Sequence, residues 1–193
     1  MCDHDDDTNG KEFTKIDKLL LDSRCVVISR EVSDRLADRV IKHLLLLEAN
    51  DAEKPITVYV NSPGGSADSG FAIFDMLRFV KPPVRTICSG LCASAAVIIY
   101  LGSPKGSRFS LPNSRFLIHQ PSTVAMGSAS DIEITANEIL AIKRRYNEIV
   151  AAETGKTVEQ VDSDADRDFW LSAQAATDYG LVDRIVAARG DLD

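Results

Sequence analysis

Residues 55–101 read PITVYVNSPGGSADSGFAIFDMLRFVKPPVRTICSGLCASAAVIIYL. Two short apolar runs in it, Pro55 to Asn61 and Val84 to Ser89, have the length and β-branched content of buried strands. Between them, about Ala67 to Val80 is helical in pattern and stops before Pro82-Pro83, where a helix must end. The first strand leaves through the turn Ser62-Pro63-Gly64-Gly65. The second leaves through Gly90-Leu91-Cys92-Ala93-Ser94, and Ala93 to Leu101 reads as a buried helix. Upstream, Arg24 to Ser29 (RCVVIS) is a further strand, and Ser33 caps a helix whose Leu36, Val40, Ile41, Leu44 and Leu47 share one face. This is two consecutive βαβ units, which predict an α/β fold with a mostly parallel sheet and right-handed crossovers.

The second half changes character. Gly102 to Gly106 is a turn, and Arg115 to His119 (RFLIH) is a fourth buried strand that ends on the histidine. A long amphipathic helix is expected from about Ser130 to Thr154, closed by Gly155 as its C′ residue. Thr157-Val158-Glu159-Gln160 has capping-box form, Ser172 caps another helix that ends at Gly180, and the last strand lies near Leu181 to Val186. No repeat or low-complexity tract interrupts residues 16–189. Residues 16–193 are expected to form one domain, preceded by a flexible acidic segment over 1–15.

The chain has 193 residues, 45% hydrophobic and 26% charged, with a net charge of −7. Such an acidic balance argues against a general nucleic-acid or anionic-membrane surface, because Lys and Arg are what hold phosphate. The four cysteines, at 2, 25, 88 and 92, make no CxxC pair, and the last three sit in apolar runs where a thiol acts as a small hydrophobe. His4 among Asp3, Asp5, Asp6 and Asp7 lacks the second half of a metal site and reads as a solvated tail. The start has neither a basic n-region nor an apolar h-region, and no apolar stretch is long enough to cross a bilayer. A soluble cytoplasmic protein is the expectation.

In open α/β sheets, chemistry gathers beyond the carboxyl ends of the strands. Three such ends carry a Gly-rich turn, a serine and a histidine, the set that acyl transfer needs. Ser94 opens a helix, where unpaired N–H groups favour an oxyanion, although a plain N-cap is the ordinary use of such a serine. Gly64-Gly65 allows close backbone approach and two N–H groups aimed at one point, as an oxyanion hole requires, although a simple turn made by Pro63-Gly64 accounts for it equally well. A G-x-S-x-G elbow and a phosphate loop are both absent. His119 alone of the three histidines stands at a strand end, since His4 lies in the acidic tail and His43 on a helix flank. A general base there needs an anionic partner, and Asp162, Asp164, Asp166 and Asp168 are all candidates.

Taken together, these residues resemble the ClpP peptidases, self-compartmentalised proteolytic partners of AAA+ unfoldases. The resemblance spans roughly residues 30–187. It is carried by Asn61-Ser62-Pro63-Gly64-Gly65, Lys81-Pro82 through Thr86-Ile87-Cys88, Ala93-Ser94, Gly106-Ser107-Arg108-Phe109 and Leu111-Pro112-Asn113-Ser114-Arg115. It continues through Ile118-His119-Gln120-Pro121, Asp131-Ile132-Glu133-Ile134, Asp166-Arg167-Asp168 and Gly180-Leu181-Val182-Asp183.

The resemblance implies a crotonase-like α/β spiral with a helix-and-strand handle at about 120–155. It also implies Ser94 as nucleophile, His119 as general base and Asp168 as orienting carboxylate, with the N–H groups of Gly65 and Ala95 as oxyanion hole. No cofactor or metal is implied. Two stacked heptameric rings would enclose the sites, with Asp166 and Arg167 bridging opposite rings. A paralogous subunit is a further candidate ring partner. Tyr59, Phe79 and Phe109 would form the rim pocket for an AAA+ unfoldase that feeds in peptides and unfolded proteins.

The chain departs from the family pattern at Ser66, at Ala95-Ala96 after the nucleophile, at Thr123-Val124 and at Thr57. Met1 to Asn9 has no counterpart of the apolar N-terminal hairpin. Two other readings therefore stand beside the peptidase: a regulatory ring subunit co-assembling with an active paralogue, and a crotonase-like acyl-CoA enzyme.

Overall fold

A computed structural model describes residues 10–122 and 124–192. Its first element, α1 (Gly10–Asp22), leads into β1 (Cys25–Ile28). The segment expected to stay flexible to residue 15 is thus helical from Gly10. Ile16, Leu20 and Leu21 recur at helical spacing, and Leu21 packs against the core. The acidic stretch Met1 to Asn9, with His4, lies outside the described residues.

Next come α2 (Asp34–Asn50), β2 (Ile56–Ser62), α3 (Ala67–Phe79) and β3 (Val84–Ala93), with β1, β2 and β3 side by side and parallel. The βαβ reading is observed. Ser33 caps α2 through its hydroxyl, and Leu36, Ala37, Val40, Leu44 and Leu47 are buried. Each of these buried Leu and Val side chains contributes about 1.5–3 kcal/mol on leaving water.

β3 runs four residues past the predicted Ser89 and bends on the way. Gly90 has φ 146°, and a Cβ there would lie 2.6 Å from Asn61 Oδ1. That oxygen accepts the Leu91 N–H at 2.9 Å, where the register of β2 against β3 shifts. Before the bend β3 pairs with β4 (Arg108–Ser110); after it, Leu91, Cys92 and Ala93 pair with β5 (Arg115–Ile118). The predicted five-residue connection to the next helix therefore shrinks to Ser94 alone, ahead of α4 (Ala95–Tyr100).

The helix α5 (Ala129–Thr154) starts one residue before the predicted Ser130, because Ser128 and Asp131 form a reciprocal capping box. Gly155 closes it at φ 78°. Its C-terminal end is tied down by Arg108, which is wholly buried and bonded to the carbonyls of Leu101, Ser103 and Glu153 as well as the Glu153 carboxylate. The other end projects: Val124, Met126, Ile134 and Leu140 are exposed.

The chain ends with α6 (Val158–Asp164), β6 (Phe169–Ser172), α7 (Ala173–Tyr179) and β7 (Arg184–Ile185). β6 is absent from the sequence reading and pairs antiparallel with β5, while the last strand is shorter than predicted. Cys25, Cys88 and Cys92 are free and buried, as small hydrophobes would be. Among the described residues no helix is long and apolar enough to cross a membrane.

Candidate active site

Ser94 joins β3 to α4 with φ 55° and ψ −126°, a conformation that a non-glycine residue adopts at a cost of about 1–3 kcal/mol. Its hydroxyl makes no capping hydrogen bond. The ordinary N-cap use of this serine is therefore excluded, and the Oγ is left for other work. The junction is held from three sides. The Ser94 N–H donates to the Leu117 carbonyl at 2.9 Å, its carbonyl accepts the Val97 N–H at 2.9 Å, and the Tyr146 hydroxyl of α5 approaches the same carbonyl at 3.4 Å. Burial pushes the Tyr146 phenol far above its usual range, so it remains a neutral donor.

The turn Gly64-Gly65 lies against this junction. A Cβ on Gly64 would stand 2.6 Å from Ser94 Cβ and from the Ala93 carbonyl, and one on Gly65 would stand 2.3 Å from the Val32 carbonyl. Val32 and Gly65 form a parallel bridge, in which the Val32 N–H donates to the Gly64 carbonyl and the Ser66 N–H to the Val32 carbonyl. This pattern uses the groups flanking Gly65 and turns its own N–H to the opposite side. Ala95, the first residue of α4, has no intrahelical acceptor for its N–H.

The β3–β5 pairing sets the histidine. Ala93 lies opposite Leu117, so Ser94 and His119 leave neighbouring strand ends together. Both line a cleft of about 610 Å³ with Gly64, Gly65, Ala95 and Tyr146. Phe71, Ile98, Ile139 and Ile142 form its apolar wall, and among the described residues its acidic lining is Glu31 and Asp68.

The antiparallel β5–β6 ladder places the four aspartates differently relative to His119. Arg115 pairs with Ser172, Phe116 with Leu171, Leu117 with Trp170 and Ile118 with Phe169. The next step of this register sets His119 opposite Asp168. His119 Nδ1 lies 3.8 Å from Asp168 Oδ1, an ion-pair separation longer than a hydrogen bond. Two other candidates are engaged elsewhere: Asp162 accepts from Asn147 and Lys143, and Asp164 accepts from the Tyr179 hydroxyl. Asp166 lies in the exposed turn with Arg167, its carboxylate 3.9 Å from the guanidinium.

Tyr59 and Phe109 meet in a small apolar cluster with Ile87 and Val186, the Arg184 guanidinium 5.4 Å from the Phe109 ring. Phe79 ends α3 with 74% of its surface exposed. Tyr146 is a residue of the site that the sequence reading missed. Helical spacing marks it as one more inward-facing position on a long helix, with nothing local to single it out.

The chain belongs to the Clp protease family, whose model matches residues 8–189. It is 44% identical to ATP-dependent Clp protease proteolytic subunit 2 of Treponema denticola, over 98% of this chain and 91% of that one. It is 46% identical to ATP-dependent Clp protease proteolytic subunit 3 of Rhizobium johnstonii, with both chains covered in full. Among solved structures, a point mutant of ClpP1 from Listeria monocytogenes superimposes with a TM-score of 0.86 at 44% identity, covering 92% of this chain and 99% of that one. The fold is thus the ClpP fold expected from the sequence, and the family is one of peptidases.

Proposed function

We propose that this chain is a serine endopeptidase, the proteolytic core subunit of a Clp-type protease. Ser94 Oγ attacks the scissile carbonyl while His119 takes its proton, and Asp168 stabilises the imidazolium that forms. The tetrahedral oxyanion is received by the N–H groups of Gly65 and Ala95, where each donor is worth about 3 kcal/mol in the transition state. His119 returns the proton to the leaving amine, leaving an acyl-enzyme on Ser94 that water then hydrolyses. The observation that carries this reading is the uncapped, strained Ser94 sharing one cleft with His119 and the Gly64-Gly65 turn.

Family membership supports assembly into two stacked heptameric rings in the cytoplasm, coupled to an AAA+ unfoldase through Tyr59, Phe79 and Phe109. The exposed apolar residues Val124, Met126, Ile132, Ile134 and Leu140, before and along the first half of α5, suit a ring-to-ring contact, and Asp166 and Arg167 are proposed to bridge opposite rings. Residues 16–193 act as one domain, with α5 as the handle.

A fluorophosphonate probe tests the chemistry. Assembled protein is expected to carry the adduct on Ser94, and Ser94→Ala to lose both labelling and cleavage of a fluorogenic peptide. An assembled protein that leaves Ser94 unmodified would overturn the reading.

The 3.8 Å His119–Asp168 separation favours a second reading, a subunit idle by itself and active only when co-assembled with a paralogue. Peptide cleavage by the purified homo-oligomer, abolished by Ser94→Ala, sinks it.

A further inference from the structure

We propose that Gln120 is a positioning residue that holds Asp168 against His119; this rests on the peptidase reading above. The β5–β6 ladder ends at Ile118 and Phe169, one step short of the His119–Asp168 pair. Beyond that point nothing in the ladder fixes the approach to Asp168, which passes through a turn at 165–167. Asp168 is also exposed, with 63% of its side chain in solvent. A carboxylate so placed needs an outside anchor to stay beside its imidazole.

Gln120 supplies one from the residue next to the base. Its main-chain N–H donates to the Ala165 carbonyl at 2.8 Å, and its side-chain Nε2 donates to the Asp166 carbonyl at 2.9 Å. Ala165 is fully buried at the C-terminal cap of α6, so the first bond ties Gln120 to a fixed point. The second reaches past it to the peptide unit two residues before Asp168. The far side of the turn is pinned by Phe169, whose ring meets Tyr179 edge to face at 5.4 Å. With both flanks held, the path between Asp166 and Phe169 has little freedom, and Asp168 is kept on the His119 side. Without the amide, Asp166 to Asp168 is a short exposed loop hinged at Ala165. Gln120 touches no reacting atom on this account. It acts through Asp168.

The test compares Gln120→Leu and Gln120→Ala with the parent chain, both alone and in an Asp168→Asn background, using assembled protein of parental size. Both variants keep the main-chain bond to Ala165, and leucine keeps the bulk if alanine fails to assemble. A displaced catalytic group costs on the order of 10- to 100-fold in rate. We expect kcat for a fluorogenic peptide to fall toward that factor, but by no more than Asp168→Asn itself loses, with KM unchanged, the fluorophosphonate labelling rate to fall in parallel, and the loss to vanish when Asp168 is already asparagine. An equal loss in the Asp168→Asn background, a rise in KM with kcat kept, or no loss at all would overturn the assignment of Gln120. A parent chain that does not label at Ser94 would instead overturn the peptidase reading, and this inference with it.

Discussion

Replacing Asp168 with asparagine keeps its volume and removes its charge, and the structure sets the size of the effect. At the observed 3.8 Å, opposite unit charges attract by about 1 kcal/mol in a water-like medium and about 4 kcal/mol at the effective dielectric of a protein surface. On the proposed mechanism His119 takes the Ser94 proton as the reaction proceeds, so this attraction acts on the transition state. Converted to rate, the loss is between roughly 6-fold and roughly 1,000-fold in kcat. The exposure of Asp168 draws the expectation toward the lower half of that range, well below the ~10⁴ seen when a fully buried triad carboxylate is neutralised. Steady-state cleavage of a fluorogenic peptide by protein of wild-type assembly size is the assay. A fall of less than about threefold would mean that the Coulombic argument fails. An equal fall for Asp166→Asn in equally assembled protein would move the role to Asp166.

Gly64→Ala would drive a methyl group into Ser94 Cβ and the Ala93 carbonyl, each 2.6 Å away, at a φ of 91°; fluorophosphonate labelling of Ser94 should fall by at least about tenfold, since the elbow must shift. Arg108→Met buries comparable volume without charge and leaves the Glu153 carboxylate with Arg78 alone, so chemical denaturation should show a loss near 3 kcal/mol, about the low end for a broken buried pair. Burial first, and then the Arg39 charge, hold the His43 imidazole below its ordinary 6.5, against a smaller opposing pull from Asp17. The unfolded chain therefore binds more protons, and this contribution to stability falls as pH drops below about 6.5; His43→Asn should flatten the dependence of the thermal midpoint on pH below about 6.5, and an unchanged slope would refute it.

Much of this architecture is legible in the amino-acid sequence. The runs at Arg24, Pro55 and Val84 alternate with helices whose apolar faces are long enough to leave no rival period, and the parallel β1–β2–β3 unit follows. Short or locally ambiguous pieces are not. Phe169 to Ser172 is four residues with no turn signal before it, and its strand character comes from β5 beside it. The extension of β3 to Ala93 depends on the Asn61 side chain filling the bend at Gly90, a contact between strands that no local pattern encodes. The site divides the same way. Ser94, His119 and the paired glycines are visible as unusual residues at strand ends. Asp168 is one of four aspartates within seven positions, and only the pairing of two distant strands tells them apart. Tyr146 and the second bond of Gln120 are likewise tertiary facts.

The step that sets His119 opposite Asp168 has a consequence for how this chain can change. Everything between the two residues, α5 included, is an excursion that leaves an antiparallel ladder and returns to it on the same rung. Insertions or deletions in the exposed stretch at 124–135 should leave the His119–Asp168 pair in place so long as β5 and β6 close on the same rung and the Gln120 bonds to Ala165 and Asp166 are kept. A single residue added between Asp168 and Ser172 would do the opposite: it would move the carboxylate out of line while every side chain of the site remained present.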